Sequence, residues 1–307
     1  MNSTNTFQTP VVLIAFNRPQ TTRKVFEAIA AIRPAKLLLI ADGPRASKEG
    51  EKDLCTQVRT IIKSVDWPCE LLTNFSDQNL GCRERVVTGL NWVFSLVEEA
   101  IILEDDCLPH PSFFQFCQEM LKRYRGDSRI GMISGNSFVE AGSDWPFSYY
   151  FSRAFHIWGW ATWRTAWQRY DPDITSWPEA KKYGMLSEFV DESRYIRHWT
   201  EVLDKMYAGT GPNTWDFQWA YTNMANNTLS IVPTVNLVEN IGFGPEATHT
   251  IDPHTDPRMS GDAIEFPLNH PATVFPLRSL DRRDRKIGLP FALPHRVVRK
   301  MLRISKP

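Results

Sequence analysis

Short apolar runs that each stop at a polar residue constrain the fold of this chain more than any other feature. Residues 9–16, 36–41 and 100–103 are largely apolar segments, the pattern of central parallel strands buried on both faces. They end at Asn17-Arg18-Pro19, at Asp42 and at Glu104-Asp105-Asp106. Helical periodicity between the runs predicts βαβ units, so the polar strand ends should meet at one edge of an α/β sheet.

The acidic triplet Glu104-Asp105-Asp106 is costly to place at the end of a buried strand, because three neighbouring anions repel one another and are only partly hydrated. A divalent cation, Mn²⁺ or Mg²⁺, would neutralise them, and such ions in α/β enzymes usually also hold substrate phosphates. The alternative is a solvated acidic turn that precedes the helix beginning near Pro111. The sequence therefore predicts a cation and phosphate site here.

Composition fits a soluble globular protein of 307 residues, with 42% hydrophobic and 23% charged residues. The net charge is zero, yet residues 278–306 carry ten Lys/Arg and two Asp/Glu. A body with net charge −8 argues against nucleic-acid binding, whereas the +8 tail could make peripheral contact with an anionic membrane.

The beginning of the sequence has no signal-peptide pattern, and no apolar stretch is long enough to span a membrane. We therefore expect a cytoplasmic protein, with peripheral contact at the inner face of the membrane as a further expectation. Five cysteines without metal-type spacing are expected to be reduced and structural.

Further candidate residues lie at predicted loop–helix junctions. Arg83 and Arg85 follow Asn79-Leu80-Gly81 and could bind phosphate at a helix start, or could belong to a solvated first turn. Asp216 lies among aromatic residues and is either a general base or a helix cap. His249 could reach a metal or a phosphate, although a lone loop histidine more often does neither.

The stretch 145–167 is rich in aromatic residues and is interpreted as core, with an acceptor-binding wall as the alternative because aromatic faces stack on sugar rings. The end of the chain, 295–304, mixes apolar and basic residues. It is typical of an interfacial helix or of a helix that packs on the domain.

The ordered set VLIAFNRP, Asp42, Asn-Leu-Gly-Cys-Arg at 79–83, ILEDD and Trp215-Asp216 resembles the GT-A nucleotide-sugar glycosyltransferases. The nearest likeness is to N-acetylglucosaminyltransferase I and its bacterial relatives, over residues 9–250. The resemblance implies a Rossmann-like mixed sheet flanked by helices, with an acceptor-side subregion. Domain 1–252 would comprise a nucleotide-binding half, 9–134, and an acceptor half, 135–252, followed by a basic extension, 253–307.

The resemblance also implies residue roles. Asp106 would bind Mn²⁺ bridging the nucleotide diphosphate, with Asp105 near the ribose. Arg18 and Asp42 would line the nucleotide, Asp42 at the uracil edge, and Arg85 would face it where the family has a histidine. Asp216 would be the catalytic base, with Glu239 and Glu246 in reserve. The residues themselves, apart from the resemblance, add Glu104 and Arg83 to the predicted nucleotide site. They also add His249 to the predicted metal site, a role that the resemblance leaves open.

The sequence thus predicts an inverting, metal-dependent glycosyltransferase that moves a sugar, with N-acetylglucosamine as one candidate, from a UDP-sugar to a hydroxyl of a glycan or lipid-linked acceptor. Two alternatives stay open. One is a nucleotidyltransferase, although the loop after the first strand, Asn17-Arg18-Pro19-Gln20, lacks the expected glycine and lysine. The other is a non-catalytic glycan- or membrane-binding module with a degenerate nucleotide site.

Overall fold

The computed structural model of the chain describes residues 6–142, 144–242 and 260–288. Within them there are ten strands: β1 (Val11–Ala15), β2 (Lys36–Ala41), β3 (Glu70–Phe75), β4 (Glu99–Glu104), β5 (Cys107–Pro109), β6 (Ile130–Ser134), β7 (Tyr149–Ser152), β8 (Trp160–Trp163), β9 (Leu229–Pro233) and β10 (Val238–Asn240).

The same residues form ten helices, which cover both faces of the main sheet and build a helical subregion. They are α1 (Pro19–Ile32), α2 (Glu51–Ile62), α3 (Cys82–Leu96), α4 (Pro111–Tyr124), α5 (Arg164–Trp167), α6 (Trp177–Lys182), α7 (Met185–Phe189), α8 (Ser193–Tyr207), α9 (Asp216–Ala225) and α10 (Arg278–Gly288).

The main sheet is mixed and has eight strands in the order β3-β2-β1-β4-β8-β6-β9-β7. Strands β3, β2, β1 and β4 are parallel, β8 is antiparallel to both neighbours, and β7 is antiparallel to β9. The predicted α/β class with a Rossmann-like mixed sheet is confirmed. Since β1, β2 and β4 run in one direction, their carboxyl ends lie together at one edge.

Alternate residues of the central strands pack into two hydrophobic cores, one on each face of the main sheet. Val11 and Leu13 of β1 pack with α1, α2 and α4 on one face. Val12 and Ile14 pack with α3, α5 and the aromatic residues of α9 on the other. This two-sided burial explains why the β1 sequence is continuously apolar rather than alternating.

The chain beyond residue 253 was predicted to be an extension. Within 260–288, however, Ile264 and Leu268 are buried in the main core, and Leu280 of α10 packs beside Tyr150. The arginines of α10 are largely paired within the molecule: Arg282 binds Asp191, and Arg285 binds Glu192. Membrane contact by the remaining basic tail, 289–307, concerns residues outside the described ranges.

No helix in the described part of the chain is both long and apolar enough to cross a membrane. All five cysteines are free.

Candidate active site

A cleft of about 740 Å³ opens at the carboxyl ends of β1, β2 and β4. This is within the size range of small-molecule sites. Its lining includes Arg18, Asp42, Arg85 and the acidic triplet, together with Asp216 and its neighbours. The cleft therefore gathers six of the strand-end and helix-start residues that the sequence singled out, together with Asp216.

The acidic triplet straddles the end of β4. Glu104 is its last residue, and Asp105 and Asp106 form the turn that leads into β5. The backbone N–H of Phe16, just after β1, donates a 3.0 Å hydrogen bond to Asp105 Oδ2. Parallel pairing of β1 with β4 brings these two strand ends side by side.

Arg18 is the counter-charge of the two aspartates. Its guanidinium pairs with Asp105, and its Nη1 atom donates a 2.9 Å hydrogen bond to Asp106 Oδ2. Burial alone would lower the pKa of Arg18, but the two carboxylates raise it above its ordinary value. One cation thus balances two anions, and the triplet keeps an excess of negative charge.

The third carboxyl of the triplet, Glu104, is affected by this excess of negative charge. Burial, and then the charges of Asp106 and Asp105, raise the pKa of Glu104 above its ordinary range. Such a site favours any additional cation.

A divalent cation fits this site only if a bound substrate supplies part of its coordination shell. No group of three or more His, Cys, Asp or Glu residues that could hold a metal occurs in the described ranges. The Asp106 side chain is 16% exposed, at the cleft, whereas that of Asp105 is 4% exposed. Magnesium-type sites commonly use one or two carboxylates and complete their shell with substrate phosphates and water. Asp106 suits that role, and His249 lies outside the described residues.

The Asp106 carboxylate packs against the chain just after β10. The β10 strand pairs antiparallel with β5, and Ile241 N–H donates a 2.8 Å hydrogen bond to the Asp106 carbonyl. A Cβ atom at Gly242 would lie 2.3 Å from Asp106 Oδ2. A side chain at residue 242 would therefore displace the carboxylate.

Asp42 is buried at the end of β2, and its carboxylate is fully engaged by the chain. Oδ1 accepts hydrogen bonds from the N–H groups of Gly43 and Leu80, both at 2.9 Å. Oδ2 accepts from Asn79 Nδ2 at 2.9 Å and from Gly81 N–H at 3.0 Å. Asp42 thus fixes the turn that precedes α3.

Arg85 is in the first turn of α3 and lines the cleft, although it is only 4% exposed. One of its terminal nitrogens donates a 2.7 Å hydrogen bond to Asn74 Oδ1 at the end of β3. Its Nε–H has no partner within the described residues. Burial lowers the pKa of Arg85, so the cleft holds a buried cation with unused donor capacity.

Arg83, two residues earlier, points elsewhere. Its guanidinium donates to the Pro172 carbonyl and, at 2.9 Å, to Asp173 Oδ1, and its side chain is not part of the cleft lining. Residues 83 and 85 lie on different sides of the helix, as a spacing of two residues implies. Which of the two lines the cleft depends on the fold.

Asp216 is the first residue of α9, and the N-cap position belongs to Trp215, so the helix-cap interpretation does not apply. Trp215 is buried and stacks on Trp160 with ring centroids 5.5 Å apart. The Thr214 hydroxyl donates to the Asp216 carboxylate. A large aromatic core therefore anchors the helix start that presents this carboxylate to the cleft.

The aromatic stretch is mostly core, as its main interpretation held. Trp160, Trp163 and Trp167 are buried. Trp158, in contrast, lines the cleft, and its ring lies 5.4 Å from that of Phe138. Within 145–167, Trp158 therefore has a position that suits the alternative interpretation, an aromatic wall for an acceptor sugar.

Several cleft residues were not predicted. Arg45 lies over the Phe16 ring at 5.5 Å and pairs with Glu51, and Asn79 and Asn213 line the same cleft. Arg45 follows the β2 end by only four residues, a signal that could have identified it. Asn213 is adjacent only through the fold. The reserve acid Glu239 lies on β10, outside the cleft lining, and Glu246 is outside the described ranges.

Neither the collection of protein-family models nor the curated proteins contain a match to this chain. Solved structures are similar only distantly. The mannosyltransferase PcManGT from Pyrobaculum calidifontis, in complex with GDP-Man and Mn²⁺, is 14% identical over 71% of this chain and 70% of its own, with a TM-score of 0.37.

Two further structures are as distant. The glycosyltransferase GlyE of Streptococcus pneumoniae TIGR4 is 9% identical over 73% of this chain and 45% of its own, with a TM-score of 0.35. An apo UDP-glucose pyrophosphorylase is 10% identical over 76% and 93%, with a TM-score of 0.36. At these values the similarity carries no argument about function, and the particular likeness to N-acetylglucosaminyltransferase I gains no support.

Proposed function

We propose that the chain is an inverting, metal-dependent glycosyltransferase that moves a sugar from a UDP-sugar to a hydroxyl of a glycan or lipid-linked acceptor. The observation that carries the proposal is that one cleft gathers both kinds of group that the reaction needs. Arg18, Asp105 and Asp106 line it, and so does Asp216 at the start of α9. The first set would hold a diphosphate leaving group, and Asp216 would act on an incoming hydroxyl.

The strand order supports the orientation of the donor. Neighbouring strands are about 4.8 Å apart, so the β2 end lies roughly 10 Å from the β4 end, with β1 between them. A nucleoside diphosphate spans a similar length. With the diphosphate at Arg18 and Asp106, the base falls at Asp42 and Arg85.

Arg18 and Asp106 would act on the leaving group. A bound Mn²⁺ or Mg²⁺ supplies Lewis-acid stabilisation of the charge that develops on the leaving diphosphate. Asp106 would hold the ion, and the Arg18 guanidinium would donate to phosphate oxygens, for which its planar fork is suited.

Asp216 would remove the proton from the attacking hydroxyl. The N-terminus of α9 stabilises its negative charge, as helix N-termini do for carboxylates. A base of this kind contributes roughly 10²–10⁴ in rate. A single base that deprotonates the acceptor, without a covalent sugar–enzyme intermediate, corresponds to direct displacement with inversion.

The alternatives have less support. The loop after β1 contains Asn17, Arg18 and Pro19, without the glycine-rich backbone cradle that nucleotidyltransferases often use. A degenerate binding module would have no reason to keep the acidic triplet, its counter-charge and Asp216 in one cleft.

The test is a thermal-shift titration with UDP, UDP-sugars and other nucleotides, with and without Mn²⁺, followed by product analysis. A ligand at 100 times its dissociation constant adds about 2.7 kcal/mol of stability. Metal-dependent stabilisation by UDP and release of UDP from a UDP-sugar are the expected results. Release of pyrophosphate from a nucleoside triphosphate would instead establish the nucleotidyltransferase, and no response to any nucleotide would favour the binding module.

A further inference from the structure

The end of the cleft that holds Asp216 also holds Trp158. Strand β8 runs antiparallel to β4 in a register that pairs Trp160 with Ile102. Trp158, two residues earlier in the chain, therefore follows β4 towards its carboxyl end. Trp160 also stacks on Trp215, which directly precedes Asp216. Trp158 and Asp216 thus lie near one another at the β8 side of the cleft, and both residues line it.

Three successive contacts connect the Trp158 ring to helix α10. The Phe138 ring meets it edge to face, with centroids 5.4 Å apart and ring planes at 87°. The His156 ring meets Phe138 edge to face in turn, with centroids 4.6 Å apart. His156 Nε2 lies 2.8 Å from Asp284 Oδ1 of α10, and the histidine is the donor because a carboxylate only accepts. Asp284 therefore fixes the orientation of the imidazole, and with it the packing of Phe138 against Trp158.

This contact series is sheltered from solvent and is attached to the sheet at both ends. The side chains of His156 and Asp284 are 20% and 12% exposed. The His156 carbonyl accepts a 3.1 Å hydrogen bond from the Ser134 hydroxyl at the end of β6. One turn before Asp284, Asp281 accepts a 2.6 Å hydrogen bond from the Ser152 hydroxyl at the end of β7. Helix α10 is therefore held in place beside the rings that it contacts.

The surroundings of the Trp158 ring suit one class of ligand. Ile157, Pro212 and Phe217 add apolar surface to the cleft lining. Asp216 and the acidic triplet repel anions there, as like charges do. The C–H groups on one face of a pyranose ring are attracted to the negative face of an indole ring. An uncharged sugar ring therefore fits this end of the cleft, whereas a phosphorylated sugar or a uronic acid does not.

We propose that Asp284 and His156 are positioning residues for the acceptor. Through Phe138 they fix the ring of Trp158, and an uncharged acceptor sugar stacks on that ring. The inference rests on the proposed function, and it adds the class of acceptor and a role for a helix outside the predicted catalytic domain, 1–252. Asp284 is not part of the cleft lining, so its replacement should weaken acceptor binding and leave nucleotide binding unchanged.

Saturation-transfer NMR on the full chain, with UDP and Mg²⁺ present, tests the inference. The probes are the methyl glycosides of glucose, galactose, mannose and N-acetylglucosamine, with methyl glucuronide as the charged counterpart of the first. At least one uncharged glycoside should bind, with saturation concentrated on the protons of one ring face, and the glucuronide should bind more weakly than the glucoside. Trp158→Leu should raise the Kd of the bound glycoside by about tenfold, the loss expected when an aromatic contact is removed.

Two variants at residue 284 test the positioning role. Asp284→Ala should raise the glycoside Kd by about three- to tenfold, because the imidazole loses the partner that orients it. Asp284→Asn still accepts the hydrogen bond from His156, so its Kd should stay within about twofold of the wild-type value. If Asp284→Ala does not fold, Phe138→Leu removes the ring that joins His156 to Trp158 and should raise the Kd similarly.

Arg282→Ala is the matched control, because it removes a different contact of α10, the hydrogen bond to Asp191. It should lower the melting temperature as Asp284→Ala does, yet leave the glycoside Kd within about twofold of the wild-type value. The Kd of UDP with Mg²⁺ should be the same in every variant.

The outcomes separate this inference from the proposed function. If UDP binds, the inference is overturned by failure of every glycoside to bind, by an unchanged Kd in Trp158→Leu, or by equal increases in Arg282→Ala and Asp284→Ala. In each of those cases the proposed function stands. Glycoside binding that follows the predictions in a chain that binds no nucleotide would overturn the proposed function and leave Trp158 in a glycan-binding site.

Discussion

Arg18 Nη1 lies 2.9 Å from Asp106 Oδ2, and the same guanidinium also pairs with the buried Asp105. The contact joins the loops after β1 and β4, which are 88 residues apart in sequence. Arg18 therefore has two roles: it stabilises the ends of β1 and β4, and it is proposed to bind the diphosphate.

Replacing Arg18 with Met should lower the free energy of unfolding by about 3 kcal/mol, because it leaves a buried carboxylate without its partner. Urea unfolding measures the loss. The double variant Arg18→Met/Asp105→Asn should recover a substantial part of it. Equal losses in the single and double variants would mean that the pair has no special energetic role.

Asp106→Asn should abolish the cation-dependent part of UDP binding while the melting temperature without ligand changes little. The substitution removes the carboxylate that we propose as the protein ligand of the metal. Calorimetry with and without Mn²⁺ measures this. Glu239→Gln, an acid on β10 outside the cleft lining, is the matched control. Undiminished Mn²⁺ dependence in Asp106→Asn would show that another group holds the ion.

Asp216→Asn should lower kcat by roughly 10²–10⁴ with little change in donor affinity, because the base acts on the acceptor hydroxyl only in the transition state. UDP release gives the rate, and UDP-sugar titration gives the affinity. A variant that loses donor binding as well, or that keeps its rate, would assign the proton transfer to another group.

Gly242→Ala should impair Mn²⁺-dependent nucleotide binding although it touches no ligand, since its Cβ would lie 2.3 Å from Asp106 Oδ2. Gly261→Ala is the matched control, because the atoms nearest to a Cβ there are at 3.5 Å, an ordinary contact. Thermal shift with UDP and Mn²⁺ compares the two. Equal behaviour would mean that the Asp106 carboxylate tolerates displacement.

Much of the sheet around β1 could be predicted from sequence, because β1, β2 and β4 are locally apolar and end at polar residues. That these ends share one edge follows from parallel βαβ connections. The insertion of β8 between β4 and β6, and the return of β10 to β5, could not be predicted. Both depend on pairing between segments far apart in the chain, for which local periodicity carries no signal.

Side-chain roles were harder to predict than strand ends. A spacing of two residues separates Arg83 from Arg85 on a helix, but it does not show that Arg83 binds Asp173 and that Arg85 lines the cleft. Likewise, the saturation of Asp42 depends on three successive residues of a distant turn. Direction and partner are properties of the assembled fold rather than of residue type.

Helix α10, the last helix of the described residues, has a consequence for how related chains can diverge. Asp284 binds His156 across 128 residues, the His156 ring packs on Phe138, and Phe138 packs on Trp158 at the cleft. Arg282 donates a hydrogen bond to Asp191, and Arg285 donates one to Glu192. Recombination that exchanged only the segment containing α10 between related genes would separate its charged residues from their partners at His156, Asp191 and Glu192. We therefore expect the residues of α10 and these partners to be inherited together.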